Sequence, residues 1–416
     1  MYTDIDVQLT DEHRAIQAAV HRFAAGHVRP AMAELDAAPA ADAVLDPDGP
    51  WWRARREARS LGYHLAALPQ EIGGLGLDPI GLHILIEELG WGAPGFALST
   101  LADSFPAVAV LIHRPDNARL IEEIVQPFLA DSEARLGSCV GLSEPDHGSD
   151  ALWAFTREDP AGALALATRA RPDGADWRVR GQKSAWVSNG PVASHAMTWL
   201  TVCDGDGTSR GGGIAIVPLD AAGVSRGPVT RLLGSRDFPQ CALYFDDVRI
   251  PADYLLVGPD RYEAATDGFL NVGGLSVGIA FTGLARAAFE AALDHCRTRV
   301  QGGRPLVEHQ AVQLKLFDMF TRVEAARALS RQAMRYCFVP QARVPIEYST
   351  AVKVYCTQAA FEVAHAAVQL HGAAGLAHGS LVERLFRDAR GGLIGDGCND
   401  ALALKRSGDL IRHYGT

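Results

Sequence analysis

Two short polar segments gather the groups in this chain that could do chemistry together. Residues 141–150 read GLSEPDHGSD and residues 181–190 read GQKSAWVSNG. Each reads as a loop of small residues between apolar, strand-like stretches. They supply backbone N–H groups, the Ser143 and Ser188 hydroxyls and the Trp186 indole. That set suits a flat, polar, electron-accepting ring better than a phosphate or a metal. Other chemistries find less support. No GxGxxG fingerprint follows a strand-like run, so a Rossmann site is not indicated. His365, His371 and His378 are spread over a helix and the loop after it. Metal ligation needs convergence and supporting hydrogen bonds, so satisfied or exposed histidines and no metal are expected. No Ser-His-Asp arrangement follows from the spacing.

The elements that must hold these segments fall into three regions. Residues 10–133 read as helical. Thr10 can cap a helix, with Asp11 and Glu12 well placed in the first turn. Ile16, Val20 and Phe23 then recur at helical spacing. Residues 36–50, rich in Ala, Pro and Asp, read as a loop. Helical patterns resume at 51–61, 80–90 and 117–130. From 136 the pattern changes to short β-type runs: ALALATRA, DWRVR, AMTWLTV, GIAIVPL and ALYFDDVRI. Turn signals such as Pro172-Asp173-Gly174 separate them. After about 262 the pattern is helical again, at 278–296, 312–336 and 349–370. Three long helices with short links suggest a four-helix bundle. The expected domains are helical (1–135), β (136–260) and helical again (261–416).

Composition narrows the partners. A formal charge of −10 argues against nucleic acid or an anionic membrane surface. No apolar run approaches the length of a membrane span. The N-terminal MYTDIDVQLTDEH is acidic and lacks an apolar signal core. Seven scattered cysteines without a CxxC pair favour free thiols in a reducing cytoplasm.

The two polar segments, in this order, resemble the flavin-facing segments of the acyl-CoA dehydrogenase family. LPQEIGGLGL at 68–77 resembles the loop that closes the family's N-terminal helical domain. FDDVRIP at 245–251 resembles the last strand and exit loop of its β domain. AVQLHGAAGL at 367–376 resembles its adenine-side loop, and VERLFRDAR at 382–390 the lead-in to its catalytic loop. The resemblance covers nearly the whole chain. It implies an α+β multi-domain fold: a helical domain, a central β-barrel or sandwich, and a C-terminal four-helix bundle. It implies noncovalent FAD, contacted by Leu142, Ser143, Ser149, Trp186 and Ser188. Hydroxyl and amide donors near the ring favour its reduced, anionic form, by the logic of an oxyanion hole. Arg299 and Gln310 match positions that reach the FAD of a neighbouring subunit. Gln369, Gly372 and Ala373 match the loop that takes the nucleotide. A homo-oligomer, dimer or tetramer, is implied with them.

Three departures from the family pattern matter. Two residues, Ser184 and Ala185, stand between Lys183 and Trp186 where many relatives have one, so a bulge is expected. The aromatic residue usual three positions after the arginine is Gly302. The third departure is in IGDGCND at 394–400. There Asp396 occupies the position of the glutamate that removes the α-proton of the acyl thioester. Aspartate is shorter by one methylene, ~1.5 Å of reach, and a base must come within hydrogen-bond distance of its proton. Asp396 would equally suit the cap of a following helix.

Glycines cluster at the same pocket. Gly395 stands where an aromatic is common, Gly273 where some relatives place their base, and Gly274 where an arginine is usual. Asn271, Gly274, Gly395 and Ser149 are the expected substrate contacts. Either the pocket is wider or the thioester carrier is held differently.

The resemblance implies FAD-dependent α,β-dehydrogenation of an acyl thioester, on CoA or a carrier protein. Asp396 would be the base, the flavin N5 the hydride acceptor, and an electron-transferring flavoprotein the electron acceptor. The pattern Asp-Gly-x-Asn also occurs in relatives resembling nitroalkane oxidase, which keeps an oxidase or monooxygenase as an alternative. A non-catalytic subunit of a hetero-oligomer is the third.

Overall fold

The computed structural model describes residues 4–156, 158–159, 162–339 and 344–414. The N-terminal region is helical: α1 (Asp11–Phe23), α2 (Arg29–Ala37), α3 (Pro50–Ser60), α4 (Pro79–Gly92), α5 (Pro94–Ala102), α6 (Phe105–His113), α7 (Ala118–Leu120) and α8 (Gln126–Ala130). Thr10 caps α1 as its sequence position suggests. Its hydroxyl accepts from His13 N, and the His13 ring accepts from Thr10 N, both at 3.2 Å. A histidine thus does the reciprocal job that Glu or Gln usually does in such a box. The stretch expected as a loop at 36–50 holds a short 3-10 turn at Ala41–Leu45.

The β region comprises β1 (Ser138–Gly141), β2 (Arg169–Asp173), β3 (Asp176–Ser188), β4 (His195–Cys203), β5 (Ser209–Pro218), β6 (Val224–Arg226), β7 (Gln240–Ile250) and β8 (Leu255–Val257). They form one mixed sheet in the order β6-β7-β3-β2-β4-β5-β8, with β1 beside β4. Its apolar face shares a core with Val110, Ile124 and Phe128 of the N-terminal region.

Two sequence expectations need correcting here. Residues 163–168 are not strand. Four of their amides are taken by carboxylates instead: Ala163 and Leu164 donate to Asp159, and Ala167 and Thr168 to Glu144. The segment 181–188 is not a loop but the second half of β3.

The C-terminal region has α9 (Tyr262–Thr298), a small hairpin of β9 (Val300–Gln301) and β10 (Arg304–Pro305), then α10 (Gln310–Cys337), α11 (Ile346–His371), α12 (Leu381–Gly392) and α13 (Asn399–His413). Helix α9 begins 16 residues before the stretch read from the sequence at 278. Asn271, Gly273 and Gly274 lie inside it. Helices α9 and α11 run parallel: Gly274 meets Ser349, Gly278 meets Val352, and His295 stacks on His371. Among the described helices α9 is long and apolar enough to cross a bilayer, but 67% of that apolar window is buried within the fold. Helix α4 packs against it so closely that a Cβ on Gly283 would sit 2.1 Å from Glu87 O. A buried charge cluster ties the two regions, with Arg286 and Arg327 donating to Glu87 and Glu88.

Candidate functional site

The first polar segment leaves β1 and is pinned from below. Glu144 is buried, and its carboxylate accepts from Lys183 Nζ at 2.6 Å and from Thr168 N at 2.9 Å. Burial pushes the Glu144 pKa up, but Lys183 and the amide donors outweigh it and hold the group below the usual value. Burial pushes Lys183 down to about 8, against the pull of Glu144. The two shifts differ because the carboxylate gathers several donors while the lysine has one strong partner. The pair therefore fixes geometry more than it adds net stability. Lys183 also reaches Leu142 O at 3.4 Å.

The second segment answers the first across a bulge. Pairing of β3 with β7 shifts between Lys183 and Val187, whose partners are Leu243 and Cys241. The extra residues, expected as a bulge from Ser184 and Ala185, swing Ser184 against Ser143. Their hydroxyls are 2.8 Å apart, and Ser184 N donates to Ser143 O at 3.0 Å. Trp186 is left 59% exposed on the outer curve, free to face a ligand. The Ser188 hydroxyl accepts from Gln240 Nε2 at 2.9 Å. Asn189, with φ +62°, is buried and donates to Ser99 O and Ser138 O. It locks this corner of the sheet to α5.

The Asp396 turn joins the same site. It lies between α12 and α13, closed by Asn399 N donating to Leu393 O at 3.0 Å. Ser149, from the first segment, accepts from Cys398 N at 2.9 Å and so ties the β region to the turn. Asp396 has φ +53° and Gly397 φ +99°. An aspartate tolerates this left-handed region better than a longer side chain does. The cap position of α13 is held by Cys398, not Asp396. The Asp396 carboxylate makes no hydrogen bond among the described residues and is open to solvent. Protein atoms nevertheless crowd round it. That crowding raises its pKa, and Lys353 opposes the rise. Water reaching the open site weakens both effects; a ligand laid over the turn strengthens them.

The expected substrate contacts divide. Gly273 faces open space, with nothing within 4 Å of an added Cβ. Gly274 does not widen the pocket: its missing Cβ is spent on packing, 3.1 Å from Ser349 O of α11. Gly395 sits 3.3 Å from Gly391 O by the same measure. Asn271 is buried, and its Oδ1 has no partner among the described residues.

The nucleotide-side residues lie elsewhere. Arg299 caps the C-terminus of α9 and is exposed; Gln310 opens α10 and is exposed. Gln369, Gly372 and Ala373 are exposed at the end of α11, where Gly372 takes φ +61°. The stacked rings of His295 and His371, 4.1 Å apart, bring these two helix ends together. His365 lies beside Phe386, and His378 is 3.8 Å from Glu383. From Gly274 to Arg299 the rise along α9 is about 37 Å.

Sequence reading missed Glu144, Lys183, Ser184, Asn189, Lys353 and Asn399 as parts of the site. The buried lysines were the available signal, since a lysine within an apolar helical or strand pattern rarely lacks a partner.

Known proteins match this arrangement along the whole chain. Family models describing the acyl-CoA dehydrogenase N-terminal, middle and C-terminal domains match residues 10–116, 139–248 and 263–405. The chain is 29% identical to the probable acyl-CoA dehydrogenase FadE25 of Mycobacterium tuberculosis, over 97% of each. It is 29% identical to the 3-sulfinopropanoyl-CoA desulfinase of Paraburkholderia xenovorans, also over 97% of each. The solved butyryl-CoA dehydrogenase of Megasphaera elsdenii superimposes with a TM-score of 0.84 at 25% identity, covering 98% of this chain and 100% of that one. With three helical and β regions in the same order, the chain belongs to the acyl-CoA dehydrogenase family of FAD-dependent oxidoreductases acting on CH–CH bonds.

Proposed function

We propose that this protein oxidises the Cα–Cβ bond of an acyl thioester, with Asp396 as the base that takes the α-proton. One observation carries the reading: Asp396 is a carboxylate held on a left-handed turn, with no internal hydrogen bond, facing the site rather than capping α13. A positioned carboxylate of raised pKa is suited to general-base work. FAD, when bound, supplies the two-electron acceptor. The groups present fit its ring: Ser143, Ser184, Trp186 and Ser188 offer hydroxyls, amides and an exposed aromatic face on one bulged edge. Arg299, Gln310, Gln369, Gly372 and Ala373 would hold its nucleotide, since a guanidinium pairs well with a diphosphate.

Arg299 lies about 37 Å along α9 from Gly274, at the opposite end of the helix from the Asp396 turn. This supports a homo-oligomer in which each chain completes its neighbour's site. Open space at Gly273 supports an acyl group bulkier than a straight chain at that point. An electron-transferring flavoprotein is the proposed acceptor of the electrons. Seven free thiols suit a reducing cytoplasm.

The test is anaerobic mixing of the flavin-loaded protein with an acyl-CoA series. Flavin bleaching without oxygen use supports dehydrogenation. Fast reoxidation by air points to an oxidase or monooxygenase, and no bleaching with any thioester to a non-catalytic subunit. Asp396→Asn is expected to keep FAD and fold while slowing bleaching ~10²-fold or more. Wild-type bleaching in that variant would remove Asp396 as the base.

A further inference from the structure

Beneath the Asp396 turn lies a charged group that the reaction as described does not use. Lys353, on α11, is fully buried. Its Nζ donates to Gly397 O at 2.6 Å and to Asn399 Oδ1 at 2.7 Å. Asn399 Nδ2 donates in turn to Thr357 Oγ1 at 3.0 Å, and Thr357 Oγ1 to Lys353 O at 2.8 Å. The ammonium group is thus closed into a ring of hydrogen bonds spanning α11 and the start of α13. No carboxylate forms an ion pair with it among the described residues. A buried ammonium without a direct ion pair is costly, and an apolar side chain of similar length would pack the same space at less cost.

Resting on the reading of Asp396 as base, we propose that Lys353 is a positioning residue: it fixes the turn that carries Asp396 and presents a positive charge beside that carboxylate. The turn needs such an anchor, because two consecutive left-handed residues, Asp396 and Gly397, leave the Gly397 carbonyl pointing inward. The titratable groups that face Lys353 are Asp396 and Cys398, both on the turn. Helix α9 approaches the neighbouring stretch of α11 at Gly274 and Gly278. Burial pushes Lys353 down to about 8, against Asp396 and Cys398. It is therefore still charged at neutral pH.

The experiment is rapid-reaction flavin reduction of the FAD-loaded protein, between pH 5 and pH 9 by about one-unit steps, using an acyl-CoA that bleaches the wild type. Only ionised Asp396 accepts a proton, so the rate falls as pH falls through its pKa. Removing the neighbouring positive charge raises that pKa. Lys353→Met is expected to keep one flavin per chain, lose ~10-fold or more in rate, and move the acid limb up by about 1 unit or more. Lys353→Arg, which keeps the charge, is expected to leave the limb in place. A Lys353→Met protein with an unmoved acid limb overturns the proposal, whatever its rate. If that variant fails to hold FAD, Asn399→Ala decides: a slower rate with the limb unmoved supports the proposal, and a wild-type rate overturns it. Wild-type bleaching by Asp396→Asn would instead overturn the reading on which the proposal rests, independently of the Lys353 variants.

Discussion

The half of the site proposed to face the flavin ring and the half proposed to face its nucleotide are built on opposite plans. The first is braced from inside. Glu144, Lys183, Asn189 and Lys353 are all buried and hydrogen-bonded, and each holds a loop or turn whose outer residues are left free. The second is bare. Arg299, Gln310, Gln369, Gly372 and Ala373 are all exposed at helix ends. The difference teaches which contacts a chain makes for itself and which it offers outward. Groups that must be in place before a ligand arrives are fixed by the fold; groups that a neighbour completes need only be on the surface.

The comparison breaks most sharply at Lys183. Lys183→Met strips Glu144 of its counter-ion in a buried setting, at an expected cost of about 3–5 kcal/mol. Chemical denaturation should show that loss, together with loss of flavin. A variant as stable as the wild type would mean that the first segment needs no internal brace. Asp396→Glu comes next. The longer side chain must occupy the same left-handed turn, and a misplacement of ~1 Å can cost ~10²-fold. Its flavin reduction is expected to be slower than wild type, and a faster rate would show that the turn adjusts to side-chain length. On the outward half, Arg299→Ala should leave the unfolding transition in place. It should nevertheless weaken FAD by about 1.5–3 kcal/mol, the worth of a charge-assisted hydrogen bond, as read by flavin titration of the apoprotein. Unchanged affinity, or a stable monomer that retains FAD, would end the idea that this end serves a neighbour. The smallest effect is expected from Ser149→Ala, which removes the acceptor of Cys398 N. About 1 kcal/mol of stability is at stake, visible as a small shift in the denaturation midpoint.

Much of this was legible beforehand, for reasons that differ by residue. Ser143, Ser188 and Asp396 were singled out because the segments around them resemble those of a known family. The three-region order was readable because period and turn chemistry change near 136 and 262. The braces were not, because each joins residues far apart in sequence, Lys183 to Glu144 and Lys353 to Gly397. The polar run 181–188 hid a strand, since β7 supplies the partner for its backbone. The early turns of α9, before 278, were left out of the helix for the opposite reason. The smallness of Gly274 and Gly278, which weakens a helical pattern in isolation, is what lets α9 lie against Ser349 and Val352.

Helix α9 has a further consequence as a matter of phase. One end carries the residues beside the Asp396 turn and the other carries Arg299, with an unbroken helical backbone between them. Each residue turns the axis by about 100° and advances it by 1.5 Å. Inserting or deleting one residue between Gly278 and His295 would leave the composition almost untouched. It would still rotate Arg299 a quarter-turn or more away from Gln369 and unstack His295 from His371. The length of α9 is thus a timing element of the architecture, fixed as firmly as the glycines that let it pack.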